Sequence, residues 1–277
     1  MTESRAGVLG HPIAHSLSPL LHRAAYRELG LDWTYDPYDV TEDSLEAFLG
    51  GLDETWAGLS LTMPLKVAVT RYVDSIDVLA EALGVVNTVV VRPSDKGVLL
   101  EAANTDVYGV RQALSEAGVE DVASATILGS GATATSAMTA LKDLGCDSPI
   151  VVAKNREEAE GLLRAAPKVG VSPVIVFTRD AIDAMAEAAV VVSTIPVEVG
   201  DEIGRALDGV LPGAVLLDAV YDPLVTPLAE SWVRKGGRSV NGSRMLLHQA
   251  AEQIRLMTGR SAPVDAMDMA LVSHLSR

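Results

Sequence analysis

Three groups of residues have types and spacings that could do chemistry. Lys66 lies just beyond the run Leu59-Ser60-Leu61-Thr62-Met63-Pro64, with the Thr62 hydroxyl close to it along the chain. An ammonium at the mouth of a strand can move a proton if a carboxylate reaches it, whereas alone it is ordinarily a solvated surface charge. Asp106 falls in the first turn of an expected helix with Asn104 as its N-cap, where backbone donors and the helix dipole favour a carboxylate. Gly129-Ser130-Gly131-Ala132-Thr133-Ala134 follows an apolar run directly and has the G-x-G-x-x-A spacing of a dinucleotide-binding turn. Its glycines let the backbone turn and approach a pyrophosphate, which then sits on the helix amino terminus.

The end of the next strand bears on the choice of dinucleotide. A site for NAD would carry Asp or Glu there for the ribose 2′-hydroxyl. The chain instead has Lys154-Asn155-Arg156, with no acid before Glu157, and two cations suit the 2′-phosphate of NADP. Near the amino terminus, the hydroxyls of Ser16 and Ser18 precede a helix start and would suit a carboxylate ligand, with Ser18 also expected as the N-cap and Pro19 at the first helical position. Gln249 reads as a polar position on an amphipathic helix. His11, His15 and His22 share no metal-ligand spacing and are expected in loops or at the surface.

The elements that must position these groups alternate. Strands are expected at 6–10, Trp33–Asp39 and 59–63, the last with one buried face because Leu59, Leu61 and Met63 alternate with Ser60 and Thr62. Helices are expected at 19–29 and Glu42–Leu49, then from beyond Lys66 to Leu83. A strand at 84–91, a turn at 93–97 and a strand at 98–101 lead to the helix that carries Asp106 and stops at Gly118. Beyond it, strands at Ala125–Leu128, Ile150–Ala153, Val174–Phe177, Val190–Ser193 and 215–217 give the α/β pattern of a largely parallel sheet. Strand carboxyl ends form the ligand crevice of such a sheet, so the loops 193–196 and 218–223 should face a cofactor. Helices from about Asn241 to Met257 and over 263–276 close the chain.

Composition narrows the function classes. The chain has 277 residues, long enough for one large or two moderate domains. Asp and Glu number 37 against 22 Lys and Arg, and the net charge of −15 would repel phosphate backbones, which disfavours nucleic-acid binding. The start, Met1 to Arg5, has no signal-peptide pattern, and apolar runs are far shorter than a membrane span. The single cysteine, Cys146, allows no internal disulfide and no metal cluster. A soluble cytoplasmic protein binding no metal, no membrane and no nucleic acid is the expectation.

Several segments in order resemble the shikimate dehydrogenase family. They are Gly10-His11-Pro12-Ile13-Ala14-His15-Ser16-Leu17-Ser18-Pro19-Leu20-Leu21-His22, the lysine stretch 58–66, Val86-Asn87-Thr88, Asn104-Thr105-Asp106, and Gly242 with Met245-Leu246-Leu247-His248-Gln249. The resemblance implies reversible NADP-dependent oxidation of shikimate to 3-dehydroshikimate, with Lys66 and Asp106 as the catalytic pair. It implies Ser16, Ser18 and Tyr221 on the substrate carboxylate, and Thr62, Asn87, Asp106 and Gln249 on the ring hydroxyls. Residues Gly129 to Ala134 would cradle the pyrophosphate, Lys154, Asn155 and Arg156 would take the adenosine phosphate, and Ala219, Gly242 and Met245 would border the nicotinamide. It further implies an α/β substrate domain, 1–106 with 240–277, and a Rossmann-type NADP domain, 107–239, in a monomer or homodimer. Three positions depart from the family: Ser60 for the usual asparagine, Ala102 for glycine and Lys154 for arginine. Dehydrogenases of quinate or an aminoshikimate, use of NAD, and a non-catalytic NADP sensor stand as alternatives.

Overall fold

A computed structural model describes residues 4–95 and 97–276. Met1 to Glu3, at the start of the expected leaderless terminus, and Lys96, in the expected 93–97 turn, lie outside the described residues. The chain divides into two compact units, one comprising the stretch up to Thr105 together with that from Leu247 onward, the other Asp106–Leu246.

The first unit holds a six-stranded sheet in the order β2-β1-β3-β5-β6-β4. Its strands are β1 (Ser4–Gly10), β2 (Trp33–Asp39), β3 (Trp56–Leu61), β4 (Ser75–Ile76), β5 (Thr88–Ser94) and β6 (Gly97–Ala103). β1 pairs in parallel with β2 and β3, while β5 runs antiparallel to both β3 and β6. Helices α1 (Ser18–Glu28), α2 (Glu42–Leu49), α3 (Leu65–Ala68) and α4 (Val78–Leu83) belong to the same unit. Leu9, Leu59, Leu61, Val86 and Val89 are buried in its core.

Two local expectations fail here for physical reasons. β3 is buried along its whole length and ends at Leu61, while Met63 beyond it is 69% exposed. A central strand between β1 and β5 has both faces covered, so the alternation of Ser60 with leucines does not mark a solvent face. The helix expected from Lys66 to Leu83 is broken into α3, a 3₁₀ turn at Val69–Arg71, strand β4 and α4. The break is built from aspartates: Asp74 Oδ2 accepts from the Leu100 N–H at 2.8 Å, which brings β4 beside β6, and Asp77 Oδ1 caps α4 by accepting from the Ala80 N–H at 2.6 Å.

The second unit is a six-stranded, all-parallel sheet in the order β12-β11-β10-β7-β8-β9. Its strands are β7 (Ala125–Leu128), β8 (Ile150–Ala153), β9 (Val174–Phe177), β10 (Val190–Ser193), β11 (Val215–Asp218) and β12 (Arg238–Asn241). Numbered within the unit, this is the doubly wound order 3-2-1-4-5-6 read from the other edge, so β7 and β10 flank the point where strand order reverses. Helices α5 (Asp106–Glu116), α6 (Ala132–Asp143), α7 (Glu160–Ala165), α8 (Ala181–Ala186), α9 (Val197–Ala206) and α10 (Pro227–Arg234) complete it. α5 and α6 pack together, and so do α9 and α10. α11 (Gly242–Thr258) starts in this unit and ends in the first, which also holds α12 (Val264–Leu275), packed on α1.

Candidate functional site

In the first unit, backbone hydrogen bonds gather the loops after β1 and β3 with the start of β5. The Thr62 N–H donates to Leu9 O at 2.9 Å and the His11 N–H to Met63 O at 3.0 Å, tying the loop that carries Thr62 to the loop that carries Ser16. A Cβ on Gly10 would lie 2.4 Å from Thr62 Cγ2, so a glycine is required for that approach. The Lys66 carbonyl accepts from the Val86 N–H at 2.8 Å, which anchors the lysine turn beside the asparagine segment. Lys66 itself is half-buried in α3.

Ser18 is the first residue of α1, and the cap position falls to Leu17. The expected N-cap is thus displaced by one residue. Ser16 Oγ instead accepts from the Ser18 N–H at 3.3 Å, and Ser18, buried, shares a side-chain hydrogen bond with Tyr35. Both hydroxyls therefore sit at the amino-terminal end of α1, where an anion is favoured.

Asn87 and Gln249 come together, Asn87 Nδ2 donating to Gln249 Oε1 at 3.3 Å. Asn87 Oδ1 accepts from the Thr105 N–H at 2.7 Å and the Thr88 hydroxyl at 2.9 Å. Asn104 donates through Nδ2 to Val85 O at 3.0 Å, and because α5 begins at Asp106 the flanking position belongs to Thr105. Asp106 is buried at the first turn of α5.

Beneath these residues lies a buried polar layer absent from the sequence-level expectations. His22 is fully buried rather than in a loop or at the surface. It stacks on Tyr35 at 3.9 Å between centroids and 17° between planes. Its Nε2 meets Gln253 Oε1 at 3.2 Å, an atom that only accepts, so Nε2 carries the proton and Nδ1 accepts from the Tyr26 hydroxyl at 3.2 Å. Burial pushes the His22 pKa down to about 3, with the Gln253 hydrogen bond opposing, and pushes the Tyr35 hydroxyl far above its ordinary value. Ser60 is linked on both sides: Tyr35 donates to its Oγ at 2.6 Å, and it donates to Gln253 Oε1 at 2.7 Å. The one legible trace of Gln253 is its spacing of four from Gln249, which puts both amides on one helix face.

In the second unit, Gly129 follows β7 with φ +101°, and a Cβ there would lie 2.4 Å from Thr194 Oγ1. Thr194 is fixed in turn, its hydroxyl donating to Leu128 O at 2.8 Å. Gly131 precedes α6, and a Cβ built on it meets nothing within 4 Å. The turn thus combines a strained glycine that seats the backbone with open space over a helix amino terminus, and this donor set fits a pyrophosphate. Ser130 and Ala134 are buried around it, while Thr133 is half-exposed on α6.

Lys154, Asn155 and Arg156 form an exposed turn after β8. Asn155 Oδ1 accepts from the Glu158 N–H at 2.9 Å, and Lys154 Nζ lies 3.8 Å from Glu158 Oε1. At that exposure the ion pair contributes little, and the cations remain suited to a phosphate.

Ala219, Gly242 and Met245 also converge. A Cβ on Gly242 would lie 2.2 Å from Ala219 O, so the start of α11 presses on the loop after β11, and Met245 is buried one turn further along. That loop carries Tyr221 and is held by Asp218, whose carboxylate accepts from the Thr226 hydroxyl at 2.6 Å and the Val220 N–H at 3.3 Å. Burial raises the Asp218 pKa and these hydrogen bonds oppose it. Among the described residues no group of three or more His, Cys, Asp or Glu could hold a metal, and no helix is long and apolar enough to cross a membrane.

Comparison with known proteins matches residues 8–89 to the shikimate dehydrogenase substrate binding domain and residues 242–272 to the shikimate 5'-dehydrogenase C-terminal domain. A shikimate dehydrogenase (NADP(+)) of Methanothermobacter thermautotrophicus is 35% identical over 277 residues, covering 98% of this chain and 96% of the relative. The crystal structure of Mycobacterium tuberculosis shikimate dehydrogenase superposes with a TM-score of 0.87 at 42% identity, covering 98% of this chain and 99% of that one. A shikimate 5-dehydrogenase from Mycobacterium fortuitum gives 0.81 at 38% identity, covering 98% of both chains.

Proposed function

Because the chain belongs to the shikimate dehydrogenase family, we propose that it catalyses the reversible NADP-dependent oxidation of shikimate to 3-dehydroshikimate. The observation that carries this reading is full-length similarity to NADP-dependent shikimate dehydrogenases in a chain whose glycine turn leaves open space over the α6 amino terminus. The first unit binds shikimate and the second binds NADP, whose nicotinamide supplies the hydride acceptor. The enzyme acts in the cytoplasm as a monomer or homodimer.

Ser16 and Ser18, with the α1 amino terminus, and Tyr221 hold the substrate carboxylate. Thr62, Asn87, Asp106 and Gln249 hold the ring hydroxyls. A site of paired amides and hydroxyls rejects an analogue lacking a hydroxyl, because its own buried groups would lose a partner. As the C–H bond at the reacting carbon breaks, the proton of its hydroxyl must leave, and Lys66 with Asp106 carries that transfer. In the reverse direction the same groups return the proton to the ketone oxygen. Gly129 to Ala134 supply backbone donors to the pyrophosphate, Lys154, Asn155 and Arg156 bind the 2′-phosphate, and Ala219, Gly242 and Met245 shape the nicotinamide edge.

The reading is tested by incubating the protein with shikimate and NADP and measuring 3-dehydroshikimate and NADPH, which should form in equal amounts. No NADPH formation despite NADP binding would make the chain a sensor rather than an enzyme. Gly131→Ala probes the cradle separately. The added methyl enters open space and an allowed backbone conformation, so the melting temperature should be unchanged while NADP binds at least about tenfold more weakly by fluorescence titration. Unchanged NADP affinity would remove the pyrophosphate from this turn.

A further inference from the structure

Strands β11 and β12 end side by side, with Asp218 in register with Asn241. The chain leaves Asp218 through a turn in which Asp222, Pro223, Leu224 and Val225 are exposed, so apolar packing does little to hold it. Both ends of the turn bond to the Asp218 carboxylate, through the Val220 N–H and the Thr226 hydroxyl. Its middle bonds to the neighbouring strand end: Asn241 Nδ2 donates to Leu224 O at 2.7 Å and, at 3.4 Å, to Val220 O. Asn241 Oδ1 meanwhile accepts from the Ser243 N–H at 2.8 Å, at the start of α11. All three partners are backbone groups with fixed roles, so the amide has one orientation. A flip would set its NH2 against an N–H and its oxygen against two carbonyls.

Other bonds hold the near side of the turn without Asn241. The Ala219 N–H donates to Ser193 O at 2.8 Å, and the Gly242 N–H donates to Val220 O at 3.3 Å. Those bonds stop at Val220, whereas the bond from Asn241 to Leu224 lies on the far side of Tyr221.

We infer that Asn241 is a positioning residue for Tyr221: its NH2 group pins the turn beyond Tyr221 to the end of β12, while its oxygen caps α11. The inference rests on the proposed assignment of Tyr221 to the substrate carboxylate and adds what holds that tyrosine in place. Aspartate or serine would cap a helix as well as asparagine does. Aspartate, however, has no proton for Leu224 O, and the serine side chain is one bond shorter, so the turn requires the amide.

Asn241→Ser keeps a capping oxygen and loses the NH2 group. It is expected to raise KM for shikimate about tenfold with kcat and KM for NADP unchanged, the pattern of lost uniform binding. A double-mutant cycle separates positioning from general loosening. Tyr221→Phe alone should raise KM for shikimate at least about tenfold, and adding Asn241→Ser to it should change KM no further. Hydrogen exchange on the ligand-free protein reads the turn without turnover: segment 219–226 should exchange about tenfold faster in Asn241→Ser, while β11 stays as protected as in the starting protein. Equal exchange of 219–226 in the two proteins overturns the inference, as do additive effects of the two substitutions on KM. A starting protein inert toward shikimate, or an unchanged KM in Tyr221→Phe, would instead overturn the proposed substrate or the proposed role of Tyr221. The exchange rates would still decide whether Asn241 holds the turn. Should Asn241→Ser not fold, Asn241→Asp takes its place, keeping the cap and losing the NH2 group, with the same readouts and the same overturning results.

Discussion

Lys66→Ala is expected to lower kcat for shikimate oxidation by about two to four orders of magnitude while KM for shikimate changes little, the range for losing a general acid–base group. The reaction must remove a proton from the hydroxyl whose carbon is being oxidised, the step we propose for Lys66, whose turn is anchored by a hydrogen bond from the Val86 N–H to the Lys66 carbonyl. The side chain is half-buried on a single turn whose packing is carried by the buried Leu65, so truncation should leave the fold intact. Lys66→Arg sharpens the test. Guanidinium keeps the charge but does not deprotonate in proteins, so it should fail to restore turnover. Steady-state kinetics on both variants decides the matter. A rise in KM as large as the fall in kcat would make Lys66 a binding group, and activity restored by arginine would make it a charge rather than a proton carrier.

The second large effect is on stability against pH. His22 is neutral in the folded chain because burial lowers its pKa to about 3, whereas an unfolded histidine titrates near 6.5. Between those values the unfolded chain binds a proton that the folded chain refuses. Stability is therefore constant above pH 6.5 as far as His22 is concerned. It is lost as pH falls below that value, by about 1.4 kcal/mol per unit, until pH approaches 3. Asp218 acts with the opposite sign: its folded pKa is raised, so its protonation favours the folded state as pH falls. The comparison of the starting protein with His22→Gln cancels Asp218 and every other shared group. Urea unfolding at intervals from pH 7.5 to 4 should give a difference in stability that is flat above about pH 6.5 and slopes below it. Parallel pH profiles for the two proteins would mean that His22 is protonated in the folded state.

The second unit was largely legible because its signals are local. A glycine turn between an apolar strand and an alanine-rich helix is a contiguous pattern, and β7 to β11 are short apolar runs separated by helical periods. β12, Arg-Ser-Val-Asn, carries no such run, since an edge strand covered on one side needs little apolar surface. In the first unit the legible parts were the segments with distinctive residues, and the illegible part was what supports them. His22 looked like a loop or surface residue because its burial comes from Tyr35 on β2 and Gln253 on α11, partners brought by tertiary packing. Ser60 looked like a polar position on an alternating strand, and only the opposed Tyr35 and Gln253 explain a buried hydroxyl there. The helix expected through 66–83 failed because Asp74 and Asp77 bond to backbone, an alternative that apolar spacing does not register.

The most direct test of the account is a side-by-side measurement of kcat/KM for shikimate with NADP and with NAD, and for quinate with each. Shikimate with NADP is expected to be the best combination by at least about tenfold, from the phosphate contacts proposed for Lys154 and Arg156 and the hydroxyl contacts proposed for Asn87 and Gln249. A higher kcat/KM for quinate with NAD would contradict it.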